Sequence, residues 1–218
     1  MTFPGSPRLV HGGLVVLDPR SSAVQRIITL QYNPDTVSRS LQARASAAES
    51  GDRFEALRLT GPPTETITLE VELDASDQLE HPEDSPTTVE LGIHPQLATL
   101  ESLLYPPSDR VSANAALAAA GRLEVLPASG PVVVFVWGRH RNTPVRVTDF
   151  SVVEQLFDPS LNPIRATVHL GLRVLTVNDL GVTTGAGSMA MSHHRRVEQL
   201  AKEFVSGSFR ELGIERLP

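Results

Sequence analysis

The residues able to do chemistry in this chain are few and poorly grouped. Seven histidines raise the question of a metal centre, yet no H-E-x-x-H or comparable ligand spacing occurs. His193 and His194 are neighbours, and helix neighbours point about 100° apart. They cannot share one face, and they read as solvated histidines at a helix start. "TGAGSM" (residues 184–189) holds a G-x-G without a third glycine, a buried strand before it or the lysine of a P-loop, so it reads as a linker. No G-x-S-x-G elbow is present. Asp149, Glu154 and Asp158 lie near a strand and a turn, where capping accounts for them; a glycosidase pair also needs a pocket and a defined separation. With no cysteine in the chain, disulfides, thiolate metal sites and cysteine nucleophiles are excluded. No catalytic, cofactor-binding or metal-ligating set emerges.

The densest basic stretch is "GRHRN", with Arg139, His140 and Arg141 at an expected hairpin tip. Such a tip suits a phosphate or an acidic partner, or serves to keep an edge from pairing. A formal charge of −6 over 218 residues argues against a nucleic-acid footprint, which needs a clustered basic surface. The N-terminal residues lack the basic start and apolar core of a signal peptide. No run of about 18 apolar residues appears, so synthesis and folding in the cytoplasm are expected, without membrane insertion. A composition of 40% hydrophobic and 20% charged residues is that of a globular chain large enough to bury a core.

The elements that must carry these residues are mostly strands. "RLVHGGLVVLDP" is the first, its Gly12-Gly13 pair marking a possible bulge. "AVQRIITLQY" follows with Ile28, Leu30 and Tyr32 on one face, then "NPD" as a turn and "VSRSLQARA". "TETITLEVELD" alternates cleanly, placing Ile67, Leu69, Val71 and Leu73 inward. Residues 46–63 and 74–88 read as exposed loops. "HPQLATLESLLYPP" is the helix, with Pro95 in its first turn and a stripe of Leu97, Leu100, Leu103 and Leu104. "SANAALAAAG" before "RLEVLP" fits a short helix or an extended passage equally.

"PVVVFVWG" is apolar on both faces and reads as a central strand. "VRVTDFSVVEQLF" shifts its apolar phase near Thr148-Asp149, which predicts a bulge. "DPSLNP" turns the chain into "IRATVHLGLRVLT", where apolar even positions oppose polar odd ones, including Arg165, Thr167, His169 and Arg173. Ten or more residues at about 3.3 Å each make a strand of roughly 35 Å, long enough to overhang a core. Residues 131–177 are therefore expected to form a three-stranded antiparallel meander. Beyond a glycine-bearing linker, "SHHRRVEQLAKEFVSGSFRELG" is helical in pattern, with Val197, Leu200, Phe204 and Leu212 on one side.

Taken in order, "LQYNPDTVSRSLQ", "HPQLATLESLLYP", "PVVVFVWGRHRNTPVRVTDFSVVEQLFDPSLNPIRATVHLGLRVLT" and "VNDL" resemble the tube-type baseplate proteins of contractile injection systems, the phage-tail-like particles. The resemblance covers roughly residues 7–180. It implies a mainly β (α+β) fold, a split antiparallel β-barrel of the phage inner-tube type with one packed helix. It divides the chain into a tube-like domain, 1–180, and a linker with a C-terminal helical tail, 181–218, that lacks the LysM module often attached in the family. The implied role is structural: a hexameric adaptor or tube-initiator ring between spike hub and inner tube. The partners it implies are the chain itself, the inner-tube protein, the spike or hub protein and the baseplate wedge proteins, with no cofactor. Candidate contacts are Arg139, His140, Arg141, Arg165, His169, Arg173, Val197, Leu200 and Phe204. Whether the particle works inside or outside the cell is open. A soluble ligand-binding β-barrel and an enzyme with a dispersed site stand as the other readings.

Overall fold

A computed structural model describes residues 9–19, 21–45, 58–121, 130–181 and 183–217. Among the described residues seven strands form one sheet in the order β2-β1-β5-β6-β7-β4-β3, and every neighbouring pair is antiparallel. The strands are β1 (Gly13–Leu17), β2 (Val24–Thr29), β3 (Val37–Ala45), β4 (Leu59–Asp74), β5 (Val132–Trp137), β6 (Arg141–Phe157) and β7 (Pro163–Val174). Six α-helices accompany them among the described residues: α1 (Ser76–Leu79), α2 (Pro86–Leu91), α3 (His94–Glu101), α4 (Ser108–Ala119), α5 (Val177–Leu180) and α6 (Gly185–Lys202). The sheet is open, with β2 and β3 at its edges. Among the described residues the sheet does not close, so the mainly β, α+β class holds without the barrel closure of the split antiparallel β-barrel that the resemblance implied.

The meander over 131–177 is present as expected. β7 lies between β6 and β4, and its even positions Ala166, Val168, Leu170 and Leu172 are almost fully buried. They join Ile67, Leu69, Val71 and Leu73 of β4 and Val133 and Phe135 of β5 in one core. Ile93, Leu97 and Leu100 from α3 and the residue before it enter the same core, so side chains fill this face of the sheet. The expected bulge falls between Val147 and Asp149. Gly171 faces it, and a Cβ there would stand 2.7 Å from that of Asp149, so only glycine fits without displacement.

Other expectations are corrected. The pair Gly12-Gly13 marks close approach: a Cβ on Gly12 would meet the Trp137 ring at 2.4 Å, and one on Gly13 the Ile28 carbonyl at 2.6 Å. The irregularity in β1 lies between Val16 and Leu17 instead. The acidic stretch 74–88 is not a loop but holds α1, a 3-10 turn at Pro82–Asp84 and the start of α2. Residues 59–63, expected in a loop, extend β4; residues 46–57 of that loop and "RLEVLP" lie outside the described residues. Of the two readings open for "SANAALAAAG", the helix is the one formed: Ser112–Ala119 lie within α4, none of whose residues is buried, and Ala120 and Gly121 turn out of it.

The tail differs most. The expected linker contributes α5 and the first turns of α6, where the Thr184 hydroxyl accepts from the Gly187 amide at 2.9 Å and caps the helix. Ala186 packs on Leu17, Val132 and Val134 on the other side of the sheet. The helix stops at Lys202, so Phe204 and Leu212 are not on it and share no helix face with Val197 and Leu200.

The face assignment on β7 yields a direct test. Val168 is fully buried, whereas the His169 side chain is 44% exposed beside Glu70. Val168→Asp places an unpaired charge in the core and is expected to lower stability by about 4 kcal/mol or more. His169→Asp sets like charges opposite Glu70 and should cost roughly 0.2–1 kcal/mol. Thermal melts showing equal damage from both would refute the assignment.

Candidate assembly surface and tail latch

The polar row on β7 is used up largely within the chain. Arg165 Nε donates to Asp74 Oδ2 at 2.8 Å, across the β4–β7 register that sets them opposite each other. His169 Nδ1 lies 3.1 Å from Glu70 Oε1, again directly across. Arg173 reaches Asp179 at 2.8 Å, and Asp179 also closes the capping box of α5 with Thr176. Burial by itself raises the Asp179 carboxyl, but the bonds from Thr176 and the charges of Arg173 and Arg44 outweigh it and hold it below its ordinary value. Three of the candidate contacts thus form a charge-matched ladder. That ladder stabilises the pairing and leaves a face that is polar and close to neutral.

The other candidates gather elsewhere. His140 and Arg141 at the β5–β6 tip share a groove with Arg39 of β3 and Arg196, Val197 and Leu200 of α6, over the Trp137 ring. Arg139 lies beside them at the tip and is exposed. Phe204 is past the helix end and 77% exposed.

Next to this groove sits a polar cluster that the sequence reading missed. Glu65 is 5% exposed. Its Oε1 accepts from Arg39 at 2.6 and 2.7 Å, and its Oε2 lies 3.6 Å from His193 Nε2. His193 Nδ1 in turn meets the Thr143 hydroxyl at 3.3 Å. The signal was in the alternation: Glu65 is in phase with Ile67 and Leu69, and Thr143 with Val145 and Val147. A carboxylate in an inward phase must find partners or stay protonated. His193, expected to be solvated, is one of those partners, with its side chain only 17% exposed.

Hydroxyl, imidazole and carboxylate in a row are the parts of a hydrolytic triad. Here Thr143 is completely buried, and a nucleophile without an accessible face cannot meet a substrate. What the row does is fasten α6 to β4 and β6. An apolar recess of about 160 Å³ adjoins it, between Leu41, Pro62, Pro63 and Val197, below the roughly 300–1,000 Å³ of small-molecule sites. Among the described residues no group of three or more metal-ligating side chains converges, and no helix is long and apolar enough to cross a membrane.

The remaining surface is unfinished at its edges and overhangs. β2 and β3 have no second strand partner among the described residues, and Ile27 of β2 and Leu41 of β3 are 66% and 55% exposed. The far end of the β6–β7 hairpin presents Val153, Leu156, Phe157 and Leu161 to solvent. A monomer gains nothing from such a display, which is characteristic of an interaction site.

Comparison with known proteins agrees with this picture. Residues 16–179 match the family model described as contractile injection system tube protein. No curated protein matches the chain.

The latch makes a pH prediction. Burial raises the Glu65 carboxyl, but hydrogen bonds from His193 and Arg39, with their charges, bring it below its ordinary value of 4.5. A carboxylate lowered in this way stabilises the fold above its unfolded value and loses that contribution as pH falls through the folded one. The contribution of Glu65 to stability should therefore be fully present above about pH 4.5 and be lost as the pH falls below it. Glu65→Gln should cost about 1.5–3 kcal/mol at neutral pH and flatten part of the acid limb. Denaturation midpoints measured against pH for both chains check this, and an unchanged acid limb would refute it.

Proposed function

Because the chain belongs to the contractile injection system tube protein family, we propose that it forms a ring of six copies that adapts the spike hub to the inner tube and initiates the tube. The observation that carries this reading is the unfinished surface: two open sheet edges together with an apolar hairpin overhang. Unpaired backbone N–H and C=O groups at an edge are satisfied when the next copy adds its own strand or loop. A head-to-tail contact between identical subunits closes into a ring when its rotation allows, and six is the number the family resemblance implies.

The mechanism is mechanical and needs no cofactor. One face of the ring seats the spike or hub protein, the other templates the inner-tube protein, and wedge proteins of the baseplate surround it. The near-neutral ladder of Arg165, His169 and Arg173 faces the channel in this arrangement. Residues 1–180 act as the tube-like unit. Residues 181–218, with Val197, Leu200 and Phe204, contact neighbours. The alternative of a ligand-binding barrel is weakened by the core, where side chains from β4, β5, β7 and α3 occupy the interior.

The overhang separates assembly from folding. Phe157 and Leu161 are 51% and 77% exposed in the single chain, so Phe157→Glu with Leu161→Glu should change its stability by no more than about 0.5 kcal/mol each. The same pair should abolish rings and co-assembly with tube and spike proteins. Negative-stain imaging and pull-down from a reconstituted particle measure this. Rings that persist in the double variant would overturn the proposed use of the overhang.

A further inference from the structure

The chain's charge is separated along β4. In the half of this strand nearer Leu59, Glu65 is held by Arg39 and His193, which also line the groove under the β5–β6 tip. At the other end Asp74 leads into α1 and α2. Glu65 and Asp74 are nine residues apart on the strand, about 30 Å at 3.3 Å per residue.

The groove end is basic. Arg141 and Arg196 line the groove with Trp137, Val197 and Leu200, Arg139 is exposed beside Arg141 at the tip, and none of the three arginines has an ion-pair partner among the described residues. The far end is acidic. From Glu70 to Glu90 there are eight carboxylates and no lysine or arginine, and of the eight Asp74 is matched by Arg165 and Glu70 lies against His169. Asp77, Glu80, Glu83 and Asp84 are exposed, and Val89 and Leu91 beside them are 46% and 41% exposed. Each end therefore combines one sign of charge with exposed apolar side chains, and the signs are opposite.

We propose that the groove is the docking site for a second copy of this chain, which enters with its acidic α1–α2 segment. Charge complementarity selects this occupant. Apolar contact between Val89 and Leu91 on one copy and Val197 and Leu200 on the other supplies buried area, while the charges fix direction and reject reversed pairing. Because the two ends differ, the contact is heterologous and repeats with one polarity, closing into a ring where its rotation allows and otherwise extending as a stack. The inference rests on the tube-family reading for the place of this contact in a particle, but not for its chemistry.

Charge reversal tests it in the full chain. One variant carries Arg139→Glu, Arg141→Glu and Arg196→Glu; a second carries Glu80→Lys, Glu83→Lys and Asp84→Lys; a third carries all six. Sedimentation velocity at low ionic strength should show self-association of the natural chain that falls about tenfold or more at high salt. Each three-site variant should lose association by a similar factor, being like-charged at both ends. Mixing the two variants, or reversing both ends in one chain, should restore it, and that recovery also proves the variants folded. Association that is absent from the natural chain, indifferent to reversal or unrestored by mixing overturns the proposal, as does capture of an acidic partner in its place. Imaging of the same samples keeps the two readings apart. Rings with no charge dependence refute the docking alone, and complementation without rings refutes the ring alone.

Discussion

The register of β7 between β6 and β4 is the constraint on which the rest of the structure depends. Side chains alternate with period two, so a slip of one residue would carry Val168, Leu170 and Leu172 to the polar face and bring Arg173 into the core. Two local features hold the register in place. The bulge at Thr148 consumes one residue of β6, and Gly171 opposite it leaves the space that the bulge requires. On the polar face, Arg165 with Asp74 and His169 with Glu70 reward the same alignment. Those exposed pairs are each worth little, about 0–1 kcal/mol, so they tune a register that the buried face determines.

The same periodicity explains why the tail cannot be treated as an ornament. An alternation that buries Ile67 and Leu69 also turns Glu65 inward, two residues earlier. Removing a carboxylate from water is costly unless charge and hydrogen bonds meet it. Arg39 supplies the charge from the neighbouring strand, and His193 supplies the second contact from α6. The helix is thereby tied into the sheet by a polar requirement of β4 as well as by the packing of Ala186 and Ala190. Its outer stripe is left half exposed at Val197 and Leu200, so one helix is tied into the fold and still presents apolar side chains to solvent.

How much of this was legible in the sequence follows from the range of the forces involved. β4, β6, β7 and α3 could be read because alternation, turn residues and a leucine stripe are local signals. The bulge near Thr148 could be read because it breaks phase within a few residues. α1, α2 and the first turns of α6 escaped: glycine, serine, threonine and aspartate lower intrinsic helix propensity, and the tertiary setting overrode it. The openness of the sheet is a matter of long-range pairing that no local pattern encodes. For the candidate site, the tip arginines and the tail residues Val197 and Leu200 were identified singly, but their meeting over Trp137 depends on how α6 crosses the sheet. Glu65 is a different kind of omission, since its inward phase was visible and only its partners were not.

An open antiparallel sheet with exposed apolar groups at its edge is a hazard for a protein that works alone. β2 carries Val24 and Ile27 outward, β3 carries Leu41, and the β6–β7 overhang carries Phe157 and Leu161. Natural edges are ordinarily blunted by lysine, proline or inward charges, yet the chain places no lysine on β2 or β3. β3 has Arg39 and Arg44, but Arg39 is already committed to Glu65. The protective devices are thus sparse where an isolated molecule would need them most. That pattern is coherent for a member of the contractile injection system tube protein family, because in a protein that assembles with further copies an edge left unpaired in the single chain can be satisfied by a neighbour.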